Sequence, residues 1–346
     1  MSRMEILIIR FSALGDLVTL EPTFRALRHF HRDDHITFLT SPIGKELYED
    51  TGYFDHIVVE QGASRGQLLQ RARELRRQLG AGCIDLVYNL QSSSLSHLVT
   101  FFLTKKRVVN ISAALWQKLL SIKRPFRRFP ELLQAAGFSA QKIADYTKER
   151  SSNIIALAVD AKLAAEYKSS LSATGASLPA VALAPGASPR WESKKWGDEH
   201  FAELAGRLQA AGFLVIVIGA DAEKSAARLI LKSAEKSLDF TGQTRIGQLK
   251  ALLSTVAVLV GNDSGPCHIA AATGTPTITL FASTSTLHCV KNLPYRGTHA
   301  CLSADSTVCK VCYEPQCVKS RECMATISVD RVLTAVLDVA QPPLQQ

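Results

Sequence analysis

Residues 5–16 read Glu5-Ile6-Leu7-Ile8-Ile9-Arg10-Phe11-Ser12-Ala13-Leu14-Gly15-Asp16. An unbroken aliphatic run between two charges has the length of a buried strand. The polar turn after it ends in Gly15 and Asp16. A helical pattern then runs from about Leu17 to Phe30, with Pro22 marking a kink or a restart. Outward from there the alternation repeats. Strands are expected at 35–40, 56–60 and 84–90, and helices at 42–51 and 65–80, the latter strongly basic and ended by Gly80. A helix follows within 156–177, with Asp160 as its N-cap candidate, and Pro179 opens a strand at 181–184. Further helices at 200–211, 222–233, 246–253, from His268 to 273, and at 329–340 alternate with strands at 213–218, 256–260 and 277–281. The pattern predicts an α/β protein built from parallel βαβ units, as two successive open sheets rather than one barrel. The domains are set at 1–165 and 166–327, the second with a Cys-rich loop at 301–323, followed by a helix and tail at 328–346.

The chain's 346 residues suit about two domains. With 47% hydrophobic and 21% charged residues, disorder, collagen and coiled coil are excluded. The longest apolar candidate, 95–103, contains His97 and stops at Lys105-Lys106-Arg107, far short of the ~20 residues a spanning helix needs. Glu5 and Arg10 bracket a run too short for a signal-peptide core. A cytoplasmic protein with reduced thiols is expected.

In open α/β sheets, ligands sit beyond the C-terminal ends of the strands. Three loops at such ends can hold a phosphorylated ligand. The first is Ser12 to Asp16, where Asp16 either faces the crevice or simply caps a helix. The second runs from Ala184 to Trp196 and offers Gly186, Ser188, Lys194 and Lys195, the plain alternative being a solvated basic turn. The third, Gly261-Asn262-Asp263-Ser264-Gly265-Pro266-Cys267-His268, lies between a strand and a helix N-terminus. A turn plus a cap explains one such loop better than it explains three. There is no G-x-G-x-x-G after the first strand, no P-loop, no G-x-S-x-G elbow, and no D-x-D pair to hold a metal on a nucleotide-sugar diphosphate.

Three motifs together resemble a known family: R-x-S-x-L-G-D at 10–16, A-P-G-A-S with R-W and K-K-W at 184–196, and G-N-D-S-G-P-x-H-I-A-A-A-x-G-T-P-x-x-x-L-F at 261–281. The chain is similar to the ADP-heptose:lipopolysaccharide heptosyltransferases of glycosyltransferase family 9 from about Ile6 to Val332. The resemblance implies the GT-B fold, two Rossmann-like domains facing across a cleft, with acceptor bound by the first and nucleotide-sugar by the second. It implies inversion at the anomeric carbon without a catalytic metal or other cofactor. Carried over by position, Asp16 is the general base and Lys194 the phosphate-binding lysine, with Lys195 its neighbouring alternative. Ser188 is a phosphate-binding hydroxyl. Asp263, Ser264, Gly265 and His268 grip the donor sugar and phosphates, and, more loosely aligned, Asp221 or Glu223 holds the ribose. Ala282 stands where relatives often have Gly, and Cys267 at a variable position, which leaves the donor sugar open.

Forty Lys and Arg against 31 Asp and Glu leave a net charge of +9. No acidic residue lies between Asp85 and Glu131, a stretch holding Lys105, Lys106, Arg107, Lys118, Lys123, Arg124, Arg127 and Arg128. A solvated basic face is the ordinary reading. Here the charge falls in the half that the resemblance gives to a phosphorylated lipid A–core acceptor. Ser12, Gly15, Lys105, Lys106, Arg107 and Arg124 are therefore the acceptor-binding candidates. Peripheral contact with the inner leaflet of the cytoplasmic membrane follows, and nucleic acid is not an expected partner. Cys309-x2-Cys312-x4-Cys317-x5-Cys323 has the spacing of a four-thiolate metal site, structural zinc before iron, with disulfides as the alternative. Relatives carry a similar cluster ending in Cys-Met. Two other functions stay open: a nucleotide-sugar epimerase of the same fold, and an inactive binding protein.

Overall fold

The structure, a computed structural model, describes residues 3–11, 13–61, 67–80, 84–91, 93–103, 107–110, 129–149, 154–175 and 178–340. The chain divides into two compact units, Met1–Ile154 and Ile155–Gln346. The boundary therefore precedes the expected one at 165/166. The cause is backbone pairing: Ile155 N–H donates to Pro294 O and Leu157 N–H to Ala272 O, which commits the chain to the second unit before its first helix.

The first unit begins with strand β1 (Glu5–Arg10), whose residues Ile6 to Ile9 are at most 1% exposed. Helices α1 (Leu14–Thr19) and α2 (Glu21–Phe30) follow. The helical pattern from Leu17 is thus two helices, and Pro22 lies in the first turn of the second, where its missing N–H disturbs no hydrogen bond. Then come β2 (His35–Thr40), α3 (Pro42–Tyr48), β3 (His56–Val59), α4 (Leu68–Gln78), β4 (Leu86–Asn89), α5 (Ser94–Leu103), β5 (Arg107–Asn110), α6 (Phe129–Ala135) and α7 (Ala140–Glu149). The strands form one parallel sheet in the order β3-β2-β1-β4-β5. Helices α4 and α5 cover the same face of it, through Ala72, Leu75, Leu95 and Val99 against Leu7, Ile9, Leu39, Val58 and Val87.

The second unit opens with α8 (Ala161–Ser172), capped as expected by Asp160, whose carboxylate accepts the N–H groups of Lys162 and Leu163. It continues through β6 (Leu178–Ala184), α9 (Asp198–Ala210), β7 (Phe213–Val217), α10 (Lys224–Ser233), β8 (Leu238–Asp239), α11 (Ile246–Leu253), β9 (Val258–Asn262), α12 (Gly265–Ala272), β10 (Thr277–Phe281), β11 (His299–Ser303), α13 (Glu322–Ala325) and α14 (Val329–Ala340). Its sheet is also parallel, in the order β11-β10-β9-β6-β7-β8. The final helix α14 buries Val332 and Val336 in this core. Helix α12 starts at Gly265, earlier than the expected His268, with Pro266 in its first turn.

Both sheets are open and doubly wound. In each, the chain starts in the middle and builds first to one side, then to the other. The strand order therefore reverses between β1 and β4 and between β6 and β9, and the C-terminal ends of those pairs are where such sheets bind ligands.

Candidate active site

At the reversal in the first sheet, β1 ends on Arg10, a buried cation on an otherwise aliphatic strand. A buried charge requires partners. Arg10 Nη1 donates to Leu90 O at 2.6 Å, just past β4, and Nη2 donates to Asp16 Oδ2 at 3.2 Å. Burial draws the guanidinium pKa down, and the Asp16 carboxylate opposes that shift. Phe11 N–H donates to Gln91 Oε1 at 3.2 Å, so the two strand-end loops are tied together twice. Asp16 does not cap its helix. The N-cap position is Ala13, and no side chain caps there. Asp16 instead sits within the first turn of α1, where the helix dipole favours negative charge, and its side chain is 56% exposed. The result is an accessible carboxylate on a fixed cation. Gly15 lies beside it; Ser12 falls outside the described residues.

At the reversal in the second sheet, Asn262 ends β9 with a fully buried side chain. Its Oδ1 accepts Trp196 N–H at 3.0 Å, and its Nδ2 donates to Pro185 O at 2.7 Å and Gly186 O at 3.2 Å. One amide thus clamps both ends of the loop between β6 and α9. Lys194, in the short 3-10 turn Glu192–Lys194 of that loop, reaches Asp263 Oδ2 with Nζ at 2.6 Å and lies 5.1 Å from the Trp191 ring centroid. Thr284 Oγ1 donates to the same Asp263 oxygen at 2.9 Å. Lys195 turns instead to Glu192, 3.0 Å away. Ser188 is exposed on the same loop. Ser264 stands at the N-cap of α12 without capping it, and its buried hydroxyl has no hydrogen-bond partner among the described residues. Gly265 opens that helix, and His268 Nδ1 is 2.9 Å from Tyr295 Oη.

The two ribose candidates separate. Asp221 is exposed and paired with Lys224 at 2.6 Å. Glu223 accepts Ala220 N–H at 2.8 Å and folds over the strand-end glycines: a Cβ on Gly186 would lie 2.7 Å from its Cδ. Glu223 therefore borders the Lys194 loop, whereas Asp221 borders Gly242.

Of the remaining candidates, Arg107 and the four cysteines lie within the described residues. Arg107 is exposed, but Nη1 and Nη2 donate to Ala136 O and Ala135 O at 2.7 and 2.6 Å, closing the C-terminus of α6. Lys105, Lys106 and Arg124 lie outside the described residues. The four-thiolate metal site is not formed: among the described residues no three His, Cys, Asp or Glu side chains are grouped to hold a metal ion. The four thiols stay in one neighbourhood, since burial raises the Cys323 pKa and Cys309, Cys317 and Cys312 all add to that rise, but they differ in setting. Cys323 is buried in the core beside Met324, whereas Cys312 is exposed. The sulfur of Cys312 accepts Glu314 N–H at 3.5 Å, and that of Cys317 accepts Arg321 N–H at 3.3 Å. Cys267 and Cys289 are buried small side chains.

Sequence reasoning gave no role to Arg10, Asn262 or Thr284. The first two carried a readable signal, a charged or amide side chain at the end of a buried strand. Thr284 carried none.

The profile of glycosyltransferase family 9 (heptosyltransferase) matches residues 72–321. Among characterised relatives, lipopolysaccharide heptosyltransferase 2 of Escherichia coli K12 is 30% identical over 112 residues, 31% of this chain and only 32% of that protein. Lipooligosaccharide heptosyltransferase 2 of Campylobacter jejuni is 23% identical over 328 residues, 92% of this chain and 93% of the relative. Of the solved structures, the E. coli ADP-heptose lps heptosyltransferase II superposes with a TM-score of 0.71 at 19% identity, covering 97% of this chain and 98% of that one. A glycosyl transferase family 9 protein from Veillonella parvula gives 0.73 at 17% identity, covering 97% of both chains. These likenesses give the two parallel-sheet units the GT-B fold.

Proposed function

Because the chain belongs to glycosyltransferase family 9, we propose that it transfers heptose from ADP-L-glycero-D-manno-heptose to a hydroxyl of a lipopolysaccharide inner-core acceptor, inverting the anomeric centre. The names of its relatives support that donor and acceptor.

The observation that carries the mechanism is Asp16, an accessible carboxylate fixed by the buried Arg10 at a sheet's reversal point. In this reading Asp16 takes the proton of the acceptor hydroxyl as the oxygen attacks the anomeric carbon. The bond from that carbon to the diphosphate oxygen breaks, and ADP leaves. Charge growing on the diphosphate needs a fixed cation. Lys194 fills that role. Its ammonium is held against the Asp263 carboxylate, which Thr284 also holds, so phosphate oxygens would meet a fixed cation. The unpartnered Ser264 hydroxyl and the exposed Ser188 supply further phosphate contacts, with Gly265 and His268 at the donor sugar. Glu223, rather than Asp221, holds the ribose, because it borders the same loop. The second unit, from Ile155, binds the donor and the first, to Ile154, the acceptor, with Gly15 on the acceptor side.

The acceptor's lipid places the enzyme at the cytoplasmic face of the inner membrane. Among the described residues no helix is long and apolar enough to cross a membrane, so contact would be peripheral. Exposed Arg73, Arg76 and Arg77 on α4, and Phe101 on the adjoining α5, 78% exposed, suit an anionic lipid surface.

The test is ADP release from ADP-heptose with and without heptose-deficient lipopolysaccharide. A transferase needs the acceptor; an epimerase would consume the donor alone, and an inactive binding protein would do neither. Asp16→Ala should lower kcat by about a hundredfold or more, and normal turnover by that variant would sink the general-base assignment.

A further inference from the structure

The Cys-rich segment between β11 and α13 packs its thiols within reach of Cys323 and also touches the Lys194 loop. Its backbone is hydrogen-bonded to Ser193 on one side of Lys194, and the Arg321 side chain to Lys195 on the other. Ser193, 2% exposed, donates its N–H to Pro315 O at 3.1 Å and its hydroxyl to Glu314 O at 2.5 Å. The same hydroxyl is 3.1 Å from Ser283 Oγ. On the other side, Arg321 Nη1 donates to Lys195 O at 3.3 Å and lies 3.4 Å from Glu192 Oε1. Tyr313 N–H donates to Ser283 O at 2.9 Å. Ser283 precedes Thr284, which holds the Asp263 carboxylate that in turn holds Lys194 Nζ.

The segment keeps its own shape through its sulfurs. Cys312 and Cys317 accept the N–H groups of Glu314 and Arg321, the residues that reach Ser193 and Lys195. Tyr313, Ser320 and Arg321 hold left-handed φ values of 53°, 47° and 61°. Non-glycine residues keep such conformations only where surrounding contacts impose them.

We infer that this segment is a buttress for the donor-phosphate loop, with Ser193 and Arg321 as positioning residues that act through Lys194. The inference rests on the assignment of Lys194 to the donor diphosphate. Anchoring both flanks of the 3-10 turn and the carboxylate at the tip of Lys194 fixes the ammonium before ligand binds, and preorganisation of that kind raises affinity. The cysteine spacing then has a local purpose, two sulfur acceptors that shape a turn.

The test compares ADP affinity by calorimetry and the KM values for donor and acceptor in Ser193→Ala, Arg321→Ala and Arg321→Lys, each in the native background and in Lys194→Met. Loss of one such hydrogen bond corresponds to roughly a fivefold change in a binding constant. Ser193→Ala and Arg321→Ala should each weaken ADP binding and raise donor KM by about five- to tenfold, leaving acceptor KM within about twofold. Arg321→Lys, which keeps a donor for the Lys195 carbonyl, should recover part of the loss. In Lys194→Met the same substitutions should change ADP binding by less than about twofold, because coupled residues are not additive. Equal weakening with and without Lys194, or native ADP affinity in a folded Arg321→Ala protein, would overturn the buttress. If Ser193→Ala does not fold, the Arg321 pair, at the rim of the contact, carries the test by itself. Native ADP binding by Lys194→Met alone would bring down the phosphate assignment instead, and the buttress with it.

Discussion

Asn262 joins the strand that carries the donor loop to the strand beside it, so its removal should act on stability and on binding together. In Asn262→Ala the Trp196 N–H loses its acceptor, and Pro185 O and Gly186 O lose their donor. Trp196 and Pro185 are buried and Gly186 only partly so, which lets water reach the last of the three. Two buried groups are then left unpaired, each costing about 1–3 kcal/mol, for a total of ~2–6 kcal/mol. In a unit of this size 1 kcal/mol shifts Tm by roughly 2–4 °C, which gives a loss of about 4–24 °C. The loop that presents Lys194 would also be released from β9, and ADP affinity should fall about tenfold, comparable to 1–2 hydrogen bonds.

A second variant separates geometry from bulk. Asn262→Asp keeps the volume and an acceptor for Trp196 N–H, but sets a second oxygen against two carbonyl oxygens. It should be at least as unstable as Asn262→Ala. Thermal melts by circular dichroism, with calorimetric titration of ADP into the same samples, read both effects. An Asn262→Ala protein melting within about 2 °C of the native chain with unchanged ADP affinity would refute the clamp. So would an Asn262→Asp protein indistinguishable from the native one.

Further outcomes follow from other contacts. Gly186→Val should weaken ADP binding, because its Cβ would meet the Glu223 carboxyl carbon at 2.7 Å and push that side chain off the loop; unchanged affinity would show that Glu223 has no part in the site. Burial lowers the pKa of His31, which lies against Asp34, Tyr88 and Arg28. A folded-state value below the unfolded ~6.5 means that its contribution to stability is complete above that pH and is lost as pH falls toward the folded value. The native Tm should therefore decline from about pH 7 to pH 5, and His31→Gln should show a shallower decline; an unchanged slope would remove His31 as its cause. Burial pushes the Cys267 thiol up to about 12, while Cys312 is exposed. Iodoacetamide at mildly alkaline pH should label Cys312 and spare Cys267 until the protein unfolds, as peptide mass spectrometry would show, and early labelling of Cys267 would contradict its burial.

What could be read from the chain, and what could not, divides along a physical line. Aliphatic runs such as Ile6 to Ile9 and Val181 to Ala184 announce strands because they are too short for a buried helix and are bounded by turn residues or charges. Asp160 announced its helix because a short acceptor side chain before a helical pattern has few other uses. Helix α5 was visible only as an apolar stretch, and β5, α6, α7, β8 and β11 were not anticipated. Several of these are short, and one mixed-polarity turn of chain looks like another until tertiary contacts select it.

The site divides in the same way. Asp16, Lys194 and Asp263 stand out in sequence because their motifs place charge at strand ends. Arg10 and Asn262 lie inside those motifs and went unassigned, although each poses a question that the sequence alone can ask: a buried strand cannot end on an unpaired charge or amide. Arg10 answers by holding Asp16 and the β4 loop, and Asn262 by holding the Lys194 loop. In both sheets the polar residue at the end of the central strand reaches across the reversal to its neighbour. A gap that would otherwise open between diverging loops becomes a fixed wall beside the chemistry. The cysteines show the converse error. Spacing limits how close four sulfurs can come, but not which way the backbone turns each one. Cys323 follows its helix into the core while Cys312 and Cys317 bond to nearby N–H groups.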